Sequence, residues 1–289
     1  MASGEDIETT PQFVGRKVPA PRGAKPFKWE KFLLSAHAWV VYLFLYVPII
    51  ILIIFSFNKA KQTAIWEGFT LEWYAKLAQN DNILRAVKNS LLVAGAATVF
   101  STVIGTMAAL AMGRHTFKGK GVTQAMLYMP IVIPEIVVGA ALVTFFGVIN
   151  LRLSIWTIII AHVAFSVSYV AIVVRARLAG FDRALEEAAM DLGAGPIQTF
   201  MRVTLPIIMP GVIAGALLVF TISIDDYVIT SFVTGPRSST LPMQIYSMVK
   251  VGVTPEVNAV STLLLLVTVG TILLSQRLQQ EPGARGAKK

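Results

Sequence analysis

Three groups of residues in this chain have the types and spacing for chemistry. The first is Glu135, which follows Pro134 and has Pro130 one turn before it, inside a long apolar run. Two prolines free backbone carbonyls and kink or unwind a helix. Broken backbone at membrane depth is tolerated where it lines a cavity or is buried in protein. An acid among free carbonyls suits a cation; a protonated Glu bonded to a neighbouring helix is the other reading. The second group is Asp225-Asp226-Tyr227, two carboxylates and a ring at the end of another apolar run. Acids inside spans are expensive and usually face a cavity or a partner. Near an interface the same pair is either simply solvated or paired with a loop lysine. The third group is His162, Ser166 and Tyr169, spaced i, i+4 and i+7 on one helical face. Such residues line a pathway or hold helices together.

Other chemistries are missing. There is no cysteine, and the histidines are His37, His115 and His162, so no metal-ligand cluster, disulfide or thiol chemistry is expected. No GxxxxGK[ST] phosphate loop, nucleophile elbow or HExxH occurs. The reading is a chain without catalytic residues or cofactor. If it moves a solute at the expense of ATP, another polypeptide supplies the energy.

The elements that must position these groups are membrane helices. The chain is 55% hydrophobic and 14% charged, with a mean hydropathy of +0.68, against about 25% charged in soluble proteins. Several apolar runs reach the roughly 20 residues that cross a bilayer, and the alternating ten-residue pattern of a β-barrel is missing. The expected fold class is an all-α membrane protein with six transmembrane helices. The spans are placed at 36–57, 89–112, 124–148, 154–174, 207–229 and 258–275. With both termini cytoplasmic, seventeen of the 25 Lys and Arg fall inside and eight outside, the direction basic residues prefer. Straight helices put Glu135 about 17 Å deep, near the midplane, and Asp225 about 28 Å along its span, at the outer mouth. Residues 1–31 and 277–289 read as cytoplasmic tails, the first one disordered. Residues 32–276 read as the membrane domain, and the first apolar run is long enough to be an anchor. The net charge of +9 follows from topology and attraction to anionic lipid headgroups, so membrane lipid is an expected partner and nucleic acid is not.

Residues 175–206 form a polar segment between the fourth and fifth spans, far longer than a connection requires. Asp182 is placed as an N-cap, Arg183 to Leu192 as a helix, and Gly193 in the left-handed position past its end. Pro196 opens a second helix running to about Thr204, and Pro206 interrupts it before the fifth span. Ala188 and Ala189 present a smooth surface, with Glu186, Glu187 and Asp191 adding charge beside it. Both docking onto a soluble protein and lying on the membrane surface fit these residues.

The spacing Glu187-Ala188-Ala189, Gly193, Val203, Leu205-Pro206 resembles the EAA loop of ABC-importer permeases. Val203 stands where that pattern more often has Ile, a swap that conserves shape. Ser231–Pro236 and the long stretch 241–259, with Asp225-Asp226 before them, look like the inner-membrane permeases of spermidine/putrescine ABC importers. The resemblance spans roughly residues 35 to 275. It implies a type I ABC-importer permease fold in a bacterial inner membrane, forming half of a translocation pathway for polyamines. The implied partners are an ABC ATPase pair, a second homologous permease and an extracytoplasmic polyamine-binding protein. ATPase coupling falls on Glu186, Glu187, Ala188, Ala189, Asp191 and Gly193. Glu135, Asp225, Asp226, Tyr227, His162 and Tyr169 become pathway residues, since carboxylates and aromatic faces suit polyammonium cargo. Trp156 could also supply a ring, although Tyr and Trp at interfaces often serve as belt anchors. The alternatives are an importer for another small solute and a self-sufficient secondary transporter.

Overall fold

The computed structural model describes residues 28–60 and 65–279. Most of both tails lies outside them, though residues 28–31 and 277–279 are helical. Contacts divide the chain at Ile49/Ile50. On the N-terminal side, helix α1 (Lys28–Phe55) exposes Leu34, Trp39 and Phe44. After Ile50 the chain forms short α2 (Glu72–Leu77), long α3 (Asp81–Arg114), α4 (Lys120–Val132), α5 (Glu135–Val148) and α6 (Ile155–Ala179). Then come α7 (Ala184–Asp191), α8 (Pro196–Thr199), a π-helical turn (Phe200–Thr204) and α9 (Leu205–Asp225). Short α10 (Val228–Val233), α11 (Leu241–Val251) and α12 (Pro255–Gln279) complete the order. Among the described residues five helices are long and apolar enough to cross a membrane, or six if the bent pair α4–α5 is one span.

Helices α3, α6 and α9 pack on one another, and α12 packs on α9. The buried face of α3 is a small-residue stripe: Ser90, Ala94, Ala97, Ser101, Gly105 and Ala109 recur every three or four residues. Lipid tails are as apolar as leucine, so membrane helices associate by close packing, and small residues permit it. Gly105 shows how close: a Cβ there would stand 2.6 Å from Val170 Cβ on α6. Around that approach Ala109, Val170, Val174, Ile208 and Val219 form a core cluster. Opposite faces expose Val99, Phe100, Met107, Leu266 and Leu273, as a bilayer or an apolar partner requires.

Two expected spans differ from the structure. The stretch 124–148 is two helices meeting at 111°. Pro134 has no N–H, and Ile133 before it is extended, with φ −74° and ψ 132°, as a pre-proline residue prefers. Pro130, in contrast, stays inside α4. A uniform rise along a straight helix therefore does not give the depth of Glu135. The fifth span ends at Asp225, because Asp226 is extended (φ −67°, ψ 123°) and α10 starts afresh. Pro206 does not interrupt its helix either. The π turn closes with Leu205 N–H on the Phe200 carbonyl, so the chain runs helical from Pro196 to Asp225. A widened turn is a common way to place a proline without breaking a helix.

Candidate functional site

The segment between α6 and α9 folds from local signals. Asp182 Oδ1 accepts the Ala184 N–H at 3.0 Å, satisfying a donor at the start of α7. Gly193 has φ +89°, and the N–H groups of Gly193 and Ala194 bond to the carbonyls of Met190 and Ala189. This is the left-handed ending glycine permits at little strain. Pro196 opens α8, where a missing N–H is harmless.

The expected coupling residues divide by environment. Glu187, Ala188, Asp191 and Gly193 are exposed and Ala189 is half-buried. Leu192 and Ile197 are 90% and 81% exposed. Ala189, Gly193 and Ala194 line one side of a cleft of about 310 Å³, with Gln198, Arg202 and Val203 on the other. Glu186 points the opposite way. Its Oε1 accepts from both Arg114 Nη2 at the end of α3 and Thr204 Oγ1 in the π turn. This carboxylate, placed beside the docking surface by sequence, is turned inward as a tie between α7, α3 and the start of α9. Arg114 also lies 5.8 Å from the Phe181 ring centre.

At the other end of α9 the acids divide in the same manner. Asp225 is exposed, and neither it nor Glu135 has a hydrogen-bond or ion-pair partner among the described residues. Glu135 is also exposed, in the first turn of α5, where the partial positive charge of the helix start favours an acid. Asp226 is buried. Its carboxylate accepts the Ile229 N–H at 3.3 Å, the Thr230 N–H at 2.8 Å and the Thr230 hydroxyl at 2.7 Å, capping α10. His162 on α6 completes the group: Nε2 is 3.3 Å from Asp226 Oδ2 and 2.9 Å from Thr230 Oγ1. Nδ1 is 2.6 Å from Ser223 Oγ. Because the Thr230 hydroxyl donates to Asp226, Nε2 must carry the proton that Thr230 accepts. The network fastens α6, α9 and α10 together.

Asp226 and His162, expected on the pathway, are thus sealed in this contact, their polar atoms already engaged. Tyr169 is half-buried, its ring edge-on to Phe165 at 6.4 Å. Ser166, on the same face, is buried without a hydrogen-bond partner among the described residues. Tyr227 lies 4.3 Å from the Tyr246 ring, and Lys250 Nζ stands 4.8 Å from the centre of that second ring. Trp156 is 64% exposed. Sequence reading missed Arg114, Thr204, Ser223 and Thr230. Only Ser223 and Thr230 had a signal, at three before and four after Asp226.

A bundle of apolar helices threaded by an exposed helix–turn–helix between two spans is the build of an ABC-importer permease. Residues 101–280 match the binding-protein-dependent transport system inner membrane component family, and the chain belongs to it. It is 42% identical over 251 residues to the spermidine/putrescine transport system permease protein PotC of Escherichia coli K12. That match covers 87% of this chain and 95% of the relative. The Haemophilus influenzae PotC is 40% identical over 250 residues, covering 86% and 97%. The putrescine transport system permease protein PotI of E. coli K12 is 43% identical over 230 residues, covering 77% and 82%. Among solved structures, a bacterial ABC transporter importing alginate superposes with a TM-score of 0.71 at 19% identity, covering 91% of this chain and 97% of that one. The MetNI methionine ABC transporter superposes at 0.57, with 19% identity and coverage of 68% and 94%. The chain is therefore a multi-pass membrane protein with the type I ABC-importer permease fold, homologous to transport permeases.

Proposed function

We propose that this chain is the permease subunit of an ATP-driven importer of polyamines in a bacterial inner membrane. It forms half of the translocation pathway, beside a second homologous permease, and keeps both termini in the cytoplasm. A separate ATPase pair grips the segment 175–206, and an extracytoplasmic binding protein delivers the cargo. The observation that carries the reading is the identity of 40–43% to permeases named for spermidine and putrescine. The solid geometry behind the mechanism is the α7–α8 cleft with Glu187, Ala188 and Asp191 exposed around it. Movement of this segment is transmitted along the continuous helix from Pro196 to Asp225. Its far end carries Asp225 and Tyr227, which with Glu135 and Tyr169 meet the ammonium groups of the cargo. Asp226 and His162 act at one remove, by fixing where Asp225 and Tyr227 stand. The chain itself performs no hydrolysis.

The test is uptake of labelled putrescine and spermidine by cells carrying this chain with its neighbouring transport subunits. Saturable uptake of either polyamine, lost with the chain, supports the proposal. Uptake competed by anions or amino acids and not by polyamines favours the reading as an importer of another small solute, which the alginate and methionine neighbours of the fold keep in view. Flux through the purified chain without ATP or partners would mean a secondary transporter.

A further inference from the structure

A second charged feature adjoins the Arg114–Glu186 tie. The end of α3, the start of α4, the last turn of α6 and the loop before α7 enclose a cleft of about 270 Å³. Arg114, Lys120, Arg175 and Arg183 line it, with Leu178 and Phe181 as apolar walls. Four cations in so small a space repel one another unless an anion joins them. Glu186 answers Arg114 alone. Among the described residues the other three reach neutral oxygens alone: Lys120 Nζ the His115 carbonyl at 2.9 Å, Arg183 Nη2 the Gly113 carbonyl at 3.2 Å, and Arg175 Nη1 the Tyr128 hydroxyl at 3.5 Å. Capping of helix carbonyls accounts for Lys120 and Arg183 but not for Arg175, which contributes to no helix end.

The cations stand at the ends of α3, α4 and α6, whose bodies are apolar, where a membrane helix meets water. The adjoining space between these three helices is filled, with about 10 Å³ left beside Leu127 and Ile172, room for one water. An anion held at this level, with its hydrocarbon left among the surrounding lipids, is a lipid headgroup.

We propose that this cleft binds the phosphate headgroup of an anionic membrane lipid at the ends of α3, α4 and α6. Basic pockets between spans at a membrane surface hold such headgroups. The bound lipid ties α4, which has no buried residue of its own, to the α3–α6 pair. The inference needs only that these helix ends lie at a membrane surface and is independent of the cargo.

The experiment is native mass spectrometry of the full chain, purified with the subunits that accompany it, in dioleoylphosphatidylglycerol or dioleoylphosphatidylcholine. The expected result is selective retention of phosphatidylglycerol. The double variant Arg175→Gln/Arg183→Gln retains on the order of tenfold less, the scale of two headgroup–cation contacts, and Lys at both positions restores most of it. Equal retention of the two lipids overturns the proposal, as does unchanged retention in the double variant. Displacement by millimolar inorganic phosphate makes it a free-anion site and also overturns the proposal. Should the double variant fail to fold, the lipid comparison and the phosphate competition on the unaltered chain decide.

Discussion

Glu186-Glu187 and Asp225-Asp226 are both adjacent acids, one pair close to the start of α9 and the other at its end. In each, one member is turned into the protein and the next is left outside. Glu186 is tied to Arg114 and Thr204, and Asp226 to Thr230 and His162, whereas Glu187 and Asp225 are exposed without a partner among the described residues. In α7 successive residues point about 100° apart, so only one of Glu186 and Glu187 can face α3; at the other pair the chain leaves the helix after Asp225 and turns extended at Asp226. The difference between the pairs is depth. The side chains of Glu186 and Arg114 remain 14% and 25% accessible, against 4% and 0% for Asp226 and His162. The same design of anchor plus free acid therefore gives a loose tie at the α7 end and a sealed one at the far end. That is what a lever requires if one end moves with a partner while the other holds its acid in place.

The comparison is open to attack by mutation. Asp226→Ala strips the cap of α10 and leaves His162 and Thr230 buried without their acceptor. It should lower stability by about 3 kcal/mol, read by thermal unfolding in detergent; an unchanged melting temperature would show that the sealed contact holds nothing. Glu186→Ala should be milder, about 1 kcal/mol, because water reaches Arg114. Equal losses at the two sites would erase the difference in depth. Glu187→Lys should leave stability within about 0.5 kcal/mol yet reduce uptake on the order of tenfold, the scale of a coupling free energy, while ATP hydrolysis continues. Normal uptake in that variant would remove Glu187 from the coupling surface. Asp225→Asn should leave stability equally unaffected and raise the KM for putrescine about fivefold, as expected for one exposed charge contact. A matching rise in KM for an uncharged solute would point to altered packing.

Much of the architecture was legible because its causes are short-range. The apolar lengths announced the spans, and Asp182, Gly193 and Pro196 marked the turns of the coupling segment, each acting through its own backbone or the next turn. The misses share another cause. Pro130 and Pro134 look alike in sequence, but one is absorbed within α4 and the other breaks the chain at 111°; the choice depends on what surrounds each freed carbonyl. Pro206 looked like an interruption, yet the chain stays helical through the π turn just before it. His162 carried no mark of its partners, because Ser223 and Thr230 lie 61 and 68 residues away.

The order of residues alone determined that this chain crosses a membrane several times, that a polar helix–turn–helix interrupts the crossings, and that it carries no GxxxxGK[ST] phosphate loop. Hydropathy, helix period and glycine or proline backbone preferences act over a few residues, and no neighbour is needed to read them. Tertiary structure alone decided which acid of each pair became an anchor and which stayed free, and where four basic side chains converge. Those outcomes depend on which helix faces came together, and small residues such as Gly105 set that by how closely two backbones can approach.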